Sequence, residues 1–295
     1  MDFDGYERRL WAGRAAAYER GFARLTAHTA GALLDAAGVA AGTRVLDVGT
    51  GPGVVAGAAA ARGARVTAVD AEPSMAEAAA RNVPGLDVRV AVLPDLPLPD
   101  AAFDAVTGNF VINAVGDPAA ALAELHRVLR GGGRLALTCW NYPPAAATGI
   151  AAEAIEAAGV PWPDDIPVPP LRAHSSPDAF AALIAGAGFA GATARLLSWE
   201  HQVDPREWWE EVYLSRVGTN GVVIGRQEGA TVTRIKDEFD RLVARYAVDA
   251  GQVALPAVAV LGSGQRTALD SLSHAVQREG WQHAGAERSG RRRVR

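Results

Sequence analysis

Val45-Leu46-Asp47-Val48-Gly49-Thr50-Gly51-Pro52-Gly53 is an apolar run that breaks into glycines, and the alanine-rich stretch 53–62 follows it. An apolar run this short, stopped by glycine, marks a buried strand, and the segment behind it has the length and composition of a helix. A strand that feeds a helix through glycines lets a ligand approach the backbone, because no Cβ stands in the way. The helix start adds free N–H groups aimed at that ligand. Those facts account for Gly49, Gly51 and Gly53 without choosing the ligand. Gly51-Pro52-Gly53-Val54-Val55-Ala56 even fits the dinucleotide pattern G-x-G-x-x-A, with Asp70 at a suitable distance for a ribose hydroxyl.

Outward from the loop, the same alternation repeats. Strands are expected at 43–48, 65–70, 87–92, 103–108 and 134–140, and helices at 53–62, 74–82 and 118–129. Pro118 at the start of the last helix and Gly131-Gly132-Gly133 at its end fit the usual asymmetry of helix termini. Alternating strand and helix predicts an α/β fold with a mostly parallel sheet and helices on both faces. Ahead of the loop, Trp11, Tyr18, Phe22, Leu25, Leu33 and Leu34 recur at helical spacing, so 6–37 is expected to be helix, stopped by Gly38. After Trp140 the rhythm breaks into a proline-rich stretch around a short helix near 150–158. A helix opened by Ser176-Pro177-Asp178, a strand at 192–203, helices at 205–216 and 230–248, and a strand at 254–262 complete the chain. No internal repeat or composition break divides it, and 1–295 is expected to form one domain.

Composition narrows the function classes. Of 295 residues, 49% are hydrophobic and 21% charged, an ordinary globular balance. A formal net charge of −4 argues against a general nucleic-acid binder. The one basic cluster, Arg288 to Arg295, falls in a tail at 283–295 that is expected to be disordered. Cys139 is the only cysteine, so no intrachain disulfide can form, which suits a reducing cytoplasm. The N-terminus has no signal-peptide character, and no apolar run is long enough to span a bilayer. A cytoplasmic protein with no membrane or nucleic-acid partner is expected, with a homodimer left open.

Three features bear on the ligand. Asp47 stands just before the glycines, where a carboxylate would repel a pyrophosphate but would suit a cationic amino-acid group; a buried acid that caps the loop is the alternative. Asp70 ends the second strand and is followed by Ala71-Glu72-Pro73-Ser74-Met75, which puts a carboxylate near both ribose hydroxyls and Met75 near a base, or Met75 in plain helix packing. The run Leu96-Pro97-Leu98-Pro99-Asp100-Ala101-Ala102-Phe103-Asp104-Ala105-Val106 leads into the fourth strand, with Asp95 and Asp100 best placed as turn residues.

Together with Leu125-His126-Arg127-Val128-Leu129-Arg130-Gly131-Gly132-Gly133 and the strand to Trp140, these motifs make segment 43–140 similar to class I S-adenosylmethionine-dependent methyltransferases, in particular the small-molecule branch of natural-product pathways. The resemblance is strong over that segment and loose over 1–40 and 141–295. It implies a Rossmann-like, seven-stranded, mostly parallel sheet with a helical lid from the N-terminus and from insertions after the fifth and sixth strands, at roughly 6–30, 141–175 and 204–250. It also implies S-adenosylmethionine as cofactor. Gly49, Thr50, Gly51 and Gly53 would line its methionine portion, with Asp47 near the amino group. Asp70 and Ala71 would hold the ribose and Met75 would lie by the adenine. Asn109 and Phe110 would face the methionine end, and Tyr18 would close over its carboxylate. The chain departs from the pattern at Val92 and Leu93, where relatives often carry Asp-Ala, so adenine recognition falls to backbone groups there or to Asp95. It departs again at Asn113-Ala114, where relatives often carry histidines.

The acceptor would sit under the lids, at the carboxyl ends of the strands. Those segments hold most of the aromatic residues, and Trp11, Trp140, Tyr142, Trp162 and Tyr213 are the expected pocket residues; Trp208, Trp209 and Tyr213 equally fit the buried stripe of one helix. A proton-bearing nucleophile would be helped by a base, and His174 and His201 are the candidates, with His28 behind them and His126 structural. No cluster has metal-ligand spacing, so no metal is expected. The expected function is methyl transfer to O, N or C of a small aromatic metabolite by in-line displacement. The alternatives are a non-methylating cyclisation on the same fold and, less in keeping with the motifs, an NAD-dependent oxidoreductase.

Overall fold

A computed structural model describes residues 2–268; the expected disordered tail at 283–295 lies outside them. The first strand, β1 (Arg44–Val48), alternates its side chains between two cores, and that alternation builds the layers. Val45 points to one face with Leu33 and Leu34 of α4 (Ala30–Ala36) and Val55 and Ala59 of α5 (Val54–Ala61). Leu46 and Val48 point to the other, with Leu122 and Leu125 of α7 (Pro118–Val128) and Phe180 and Ile184 of α9 (Pro177–Gly186). Around β1 lie β2 (Arg65–Asp70), β3 (Asp87–Val90), β4 (Phe103–Asn109), β5 (Leu129–Trp140), β6 (Ala190–Val203) and β7 (Val253–Gln265). The helix α6 (Pro73–Asn82) joins β2 to β3.

The strand order is β3-β2-β1-β4-β5-β7-β6, a seven-stranded sheet that is parallel from β1 to β5. Only β7 runs against its neighbours β5 and β6. The order reverses direction between β1 and β4, whose ends meet where Val48 pairs with Gly108. A crevice opens outside the carboxyl ends of the strands at such a switch point. The expected Rossmann-like, mostly parallel sheet with helices on both faces is what the chain forms.

Over the crevice a separate hydrophobic core holds the lid together. It combines Tyr6 and Leu10 of α1 (Phe3–Trp11), Ile150 of α8 (Ala146–Ala157), Trp208 of α10 (Pro205–Trp208) and Phe239 of α12 (Gly229–Val243). The 141–175 and 204–250 insertions thus pack on the N-terminal segment.

Several boundaries differ from the sequence expectation. The N-terminal stretch is not one helix: α1 is followed by α2 (Ala15–Arg20), α3 (Phe22–Thr26), a 3₁₀ turn at Ala27–Thr29 and then α4. Gly13, at φ +68, and Gly21, at φ −107 and ψ −90, turn the chain between them, and both glycines sit inside an otherwise helical spacing. The glycines at 131–133 do not stop the preceding helix. The chain enters β5 already at Leu129, and the glycines form an irregularity within that strand, where the register to β4 shifts between Phe103 and Ala105. The 205–216 helix winds into a π turn at Trp209–Leu214, α11 (Gly218–Gly225) is an additional helix, and the 230–248 helix ends at Val243 before a 3₁₀ turn. Past β7, the buried Arg266 donates to the carbonyl oxygens of His126, Arg127 and Leu129 at 2.6–3.0 Å, satisfying the end of α7.

At Gly262 of β7 the sheet leaves no room beside α9: a Cβ there would lie 2.5 Å from Ile184 Cδ1 and 2.7 Å from Phe180. Gly262→Ala is expected to destabilise the protein by about 1–3 kcal/mol through overpacking. A lowered urea midpoint with an unchanged slope checks this.

Candidate functional site

Beyond β1 the chain doubles back within a few residues, held by the Thr50 N–H donating to the Val69 carbonyl at 3.1 Å and the Gly53 N–H donating to that of Thr50 at 3.0 Å. Gly49 has φ +62, and a Cβ on it would lie 2.3 Å from Val111, so only glycine fits. Under this turn sits Asp47, 1% exposed. Its two oxygens accept hydroxyl hydrogen bonds from Thr50 at 2.8 Å and Thr107 of β4 at 2.9 Å. Burial pushes its carboxyl up to about 6, against the pull of the Thr50 and Thr107 bonds. Asp47 therefore braces the loop from below and is not on the wall of the cavity above it. Thr50 is buried with it, and Gly53 faces Ala79 of α6, whose Cα lies 3.2 Å from where a Cβ would stand.

Asp70, at the end of β2, reaches across to the loop. One carboxylate oxygen accepts the Gly51 N–H at 2.8 Å and the other accepts the Glu72 N–H at 2.9 Å. Burial raises its pKa while the two backbone donors oppose the rise.

A cavity of about 580 Å³ opens above these groups, within the range of small-molecule sites. Its floor at the β1–β3 end carries Gly49, Gly51, Asp70, Ala71 and Met75, with Val92 and Leu93 at the side. Tyr18 of α2 roofs the loop, its ring 3.7 Å from where a Gly51 Cβ would stand and its hydroxyl 3.3 Å from that of Thr26. Burial raises the Tyr18 phenol above its ordinary pKa, opposed by the Thr26 bond. Trp11 meets Tyr18 edge-on at 5.6 Å. At the centre, Asn109 clasps the N-terminal segment to the sheet: its amide donates to the Thr26 carbonyl at 3.0 Å and its oxygen accepts from the hydroxyls of Thr29 and Thr138, each at 2.7 Å. Phe110 follows with φ +61, strained for a residue with a side chain, and stacks on Trp140 at 3.9 Å. Toward the lid, the wall passes to Tyr142, with the Arg172 guanidinium 3.8 Å over its ring, and to Asp4 and Glu7 of α1.

The cavity thus brings together Tyr18, Gly49, Gly51, Asp70, Ala71, Met75, Val92, Leu93, Asn109 and Phe110, together with Trp11, Trp140 and Tyr142. Seven expected residues are not on its wall: Asp47, Thr50 and Gly53 of the loop segment, and four that lie elsewhere. Trp162 is 45% exposed, away from the cavity wall. Tyr213 is buried in the lid core, its hydroxyl accepting the Trp208 indole N–H at 3.1 Å and its ring against Phe239, which matches the buried-stripe alternative. His201 is 3% exposed and borders a separate cavity of about 160 Å³ beside Arg20, Arg24 and Trp208. Burial and the neighbouring His28 and Arg24 lower its pKa to about 4. His174 ends a 3₁₀ turn, and its neighbours Arg172 and Ser175 line the cavity while it does not. The expectation that both histidines face the pocket is thereby corrected: strand and turn register aim them aside. His28, exposed, stacks on Trp199, and His126 packs against Phe189.

Sequence reasoning missed Glu7 and Asp4. They sit three apart on α1 with Trp11 four further on, a single helix face, and that spacing was the available signal. Among the described residues no three His, Cys, Asp or Glu side chains gather as a metal site, and no helix is long and apolar enough to cross a membrane.

Residues 46–137 match the family described as methyltransferase domain. That match covers under a third of the chain, from β1 into β5. A demethylmenaquinone methyltransferase of Clavibacter sepedonicus is 43% identical over 108 residues, covering 35% of this chain and 44% of the relative. A ubiquinone biosynthesis O-methyltransferase of Xanthomonas oryzae pv. oryzae is 40% identical over 113 residues, covering 36% and 46%. The chain thus spans less than half the length of these curated relatives. The crystal structure of the YcgJ protein from Bacillus subtilis shares the fold, with TM-score 0.54 and 20% identity over 81% of this chain and 98% of that one.

The raised Asp47 carboxyl has a stability consequence. Its folded pKa of about 6 lies above the ordinary 3.8, so ionisation works against folding: this contribution falls as pH rises from about 4 to about 6 and is fully lost at neutral pH. Asp47→Asn, uncharged throughout, is expected to gain on the wild type by about 1–3 kcal/mol between roughly pH 4.5 and pH 7. Urea midpoints at the two pH values check this; a gap that does not change with pH would rule it out.

Proposed function

We propose that this protein is an S-adenosylmethionine-dependent methyltransferase acting on a small acceptor with an aromatic or apolar body. The observation that carries the reading is the pairing of the glycine loop with Asp70 under the Tyr18 roof, in a segment that matches the methyltransferase family. The donor set fits this cofactor better than a dinucleotide. The Gly51 N–H, which would greet a phosphate, is already held by Asp70, and Asp47 lies beneath the same turn. Two carboxylates around the loop disfavour a pyrophosphate and suit a ligand with cationic groups.

In this reading Asp70 keeps lone pairs for the two ribose hydroxyls while still accepting from Gly51 and Glu72. Ala71 and Met75 flank the ribose and the adenine, and Val92 and Leu93 border the adenine from β3's end. Gly49, Gly51, Tyr18 and the Asn109–Phe110 corner enclose the methionine portion. When bound, the cofactor supplies a methyl group on a sulfonium, already activated toward attack. The protein's work is then alignment and exclusion of water: Trp140, stacked on Phe110, and the α1–α3 roof would hold the acceptor beside that group in a mostly apolar space. The family match ends at residue 137, whereas the acceptor end is walled by residues 4–22 and 140–219, so the relatives' acceptors do not transfer to this chain.

Calorimetry with S-adenosylhomocysteine and with NAD tests the reading. S-adenosylhomocysteine is expected to bind, and Asp70→Ala is expected to weaken it at least about tenfold, roughly 1.4 kcal/mol. Binding of NAD without S-adenosylhomocysteine overturns the cofactor assignment, and unchanged affinity in the variant overturns the role of Asp70.

A further inference from the structure

Glu7 stands on the wall of the cavity's lid end, in the second turn of α1. Its Oε2 accepts the Trp11 indole N–H at 2.8 Å, and among the described residues no cation pairs with it. Burial pushes its carboxyl up to about 7, with the Trp11 bond opposing and the charge of Asp4 adding to the rise. A carboxylate taken from water without a counter-charge is unfavourable unless something supplies one.

The groups facing it do not. Asp4 is also acidic, and its Oδ1 accepts the Gly116 N–H at 2.7 Å. Arg8 on the same helix also lines the cavity, but it is exposed to solvent and no ion pair joins it to Glu7. The Arg172 guanidinium lies on the Tyr142 ring and also bonds its hydroxyl. Asn113 and Thr219, from the turn after β4 and from α11, are neutral; the first accepts the Trp140 N–H at 3.3 Å and the second the Tyr6 hydroxyl at 3.4 Å. What remains is a pair of carboxylates, Glu7 and Asp4, that no ion pair among the described residues compensates, in a cavity whose wall also carries Trp11, Phe22, Trp140 and Tyr142. Aromatic faces attract an organic cation, and an ionised hydrogen-bond acceptor fixes where its N–H points.

We propose that the lid end of the cavity takes an ammonium group on an aryl-alkyl body, with Glu7 as its counter-ion and as the acceptor of its proton. This rests on the methyltransferase reading above. An ammonium nitrogen has no lone pair to donate. Transfer of one N–H proton to the Glu7 carboxylate leaves that pair on nitrogen; nitrogen then bonds the methyl carbon as the carbon–sulfur pair returns to sulfur. The product is a methylated ammonium, a neutral thioether and a protonated Glu7, which balances charge and atoms.

The test is calorimetry on the full chain saturated with S-adenosylhomocysteine, near pH 7.5, with 2-phenylethylamine, 2-phenylethanol and 3-phenylpropanoate as probes. The amine is expected to bind about tenfold tighter than the alcohol, with the propanoate weakest, and E7Q is expected to erase the preference for the amine. Retained affinity of E7Q for S-adenosylhomocysteine shows that the variant is folded. No binding of the amine, equal binding of amine and alcohol, preference for the propanoate, or an unchanged preference in E7Q overturns the proposal. If E7Q instead weakens S-adenosylmethionine or S-adenosylhomocysteine severalfold, the carboxylate serves the cofactor's own cationic groups and the proposal falls. Failure of the wild type to bind S-adenosylhomocysteine at all is a separate outcome, and it overturns the cofactor reading together with the inference built on it.

Discussion

The buried carboxylate of Asp47 ties the glycine turn above it to the middle of β4, through Thr50 and Thr107, and so adds a side-chain clasp to the backbone ladder that already pairs β1 with β4. From that junction order spreads along β4. Two residues on, Asn109 ties β4 to Thr138 of β5 and, through Thr26 and Thr29, to the N-terminal segment. Thr138 also accepts the Phe110 N–H at 2.9 Å, which helps hold Phe110 in its left-handed backbone and its ring on Trp140. The floor, the roof and the aromatic wall of the cavity thus rest on two sets of hydrogen bonds, centred two residues apart on β4 at the sheet's switch point. Such a set specifies one arrangement because each buried group in it depends on the next.

The electrostatic character of the cavity follows from the same parts. Asp70 and Glu72 border its floor and Asp4 and Glu7 its lid end, while its two arginines lie at the exposed margin or on a ring. A ligand that presents hydroxyls and positive charge meets matched partners there. A ligand that presents phosphates does not.

The sheet was legible because its signals are local. Strands such as 44–48 and 65–70 are short apolar runs cut off by turn residues, and their alternation with helices leaves few topologies. The cofactor end was legible for the same reason: Gly49, Gly51 and Asp70 lie at strand ends, where the next residue's position follows from the fold. The lid was not. Gly13 and Gly21 sit within a convincing helical periodicity, and only tertiary contacts show that they break it. His201 alternates correctly along β6, but its face of the strand turns to Trp208 and not to the cavity. Glu7 carried a helical spacing with Trp11, yet nothing local reveals that a glutamate on an N-terminal helix loses water when that helix lies over the 3₁₀ turn at Val111–Ala114. Burial in the lid is a long-range property, assembled from segments more than a hundred residues apart.

A single stretch, residues 3–26, contributes to both ends of the cavity. Tyr18 overlies the glycine loop, while Glu7 and Asp4 stand at the far wall, and Gly13 donates to Glu72 at 3.1 Å between them. A ligand that shifts that stretch at one end also shifts the wall met at the other. Two ligands sharing one roof are therefore thermodynamically linked, each changing the affinity for the other by the same factor. That linkage is a property of some two dozen N-terminal residues and not of the glycine loop.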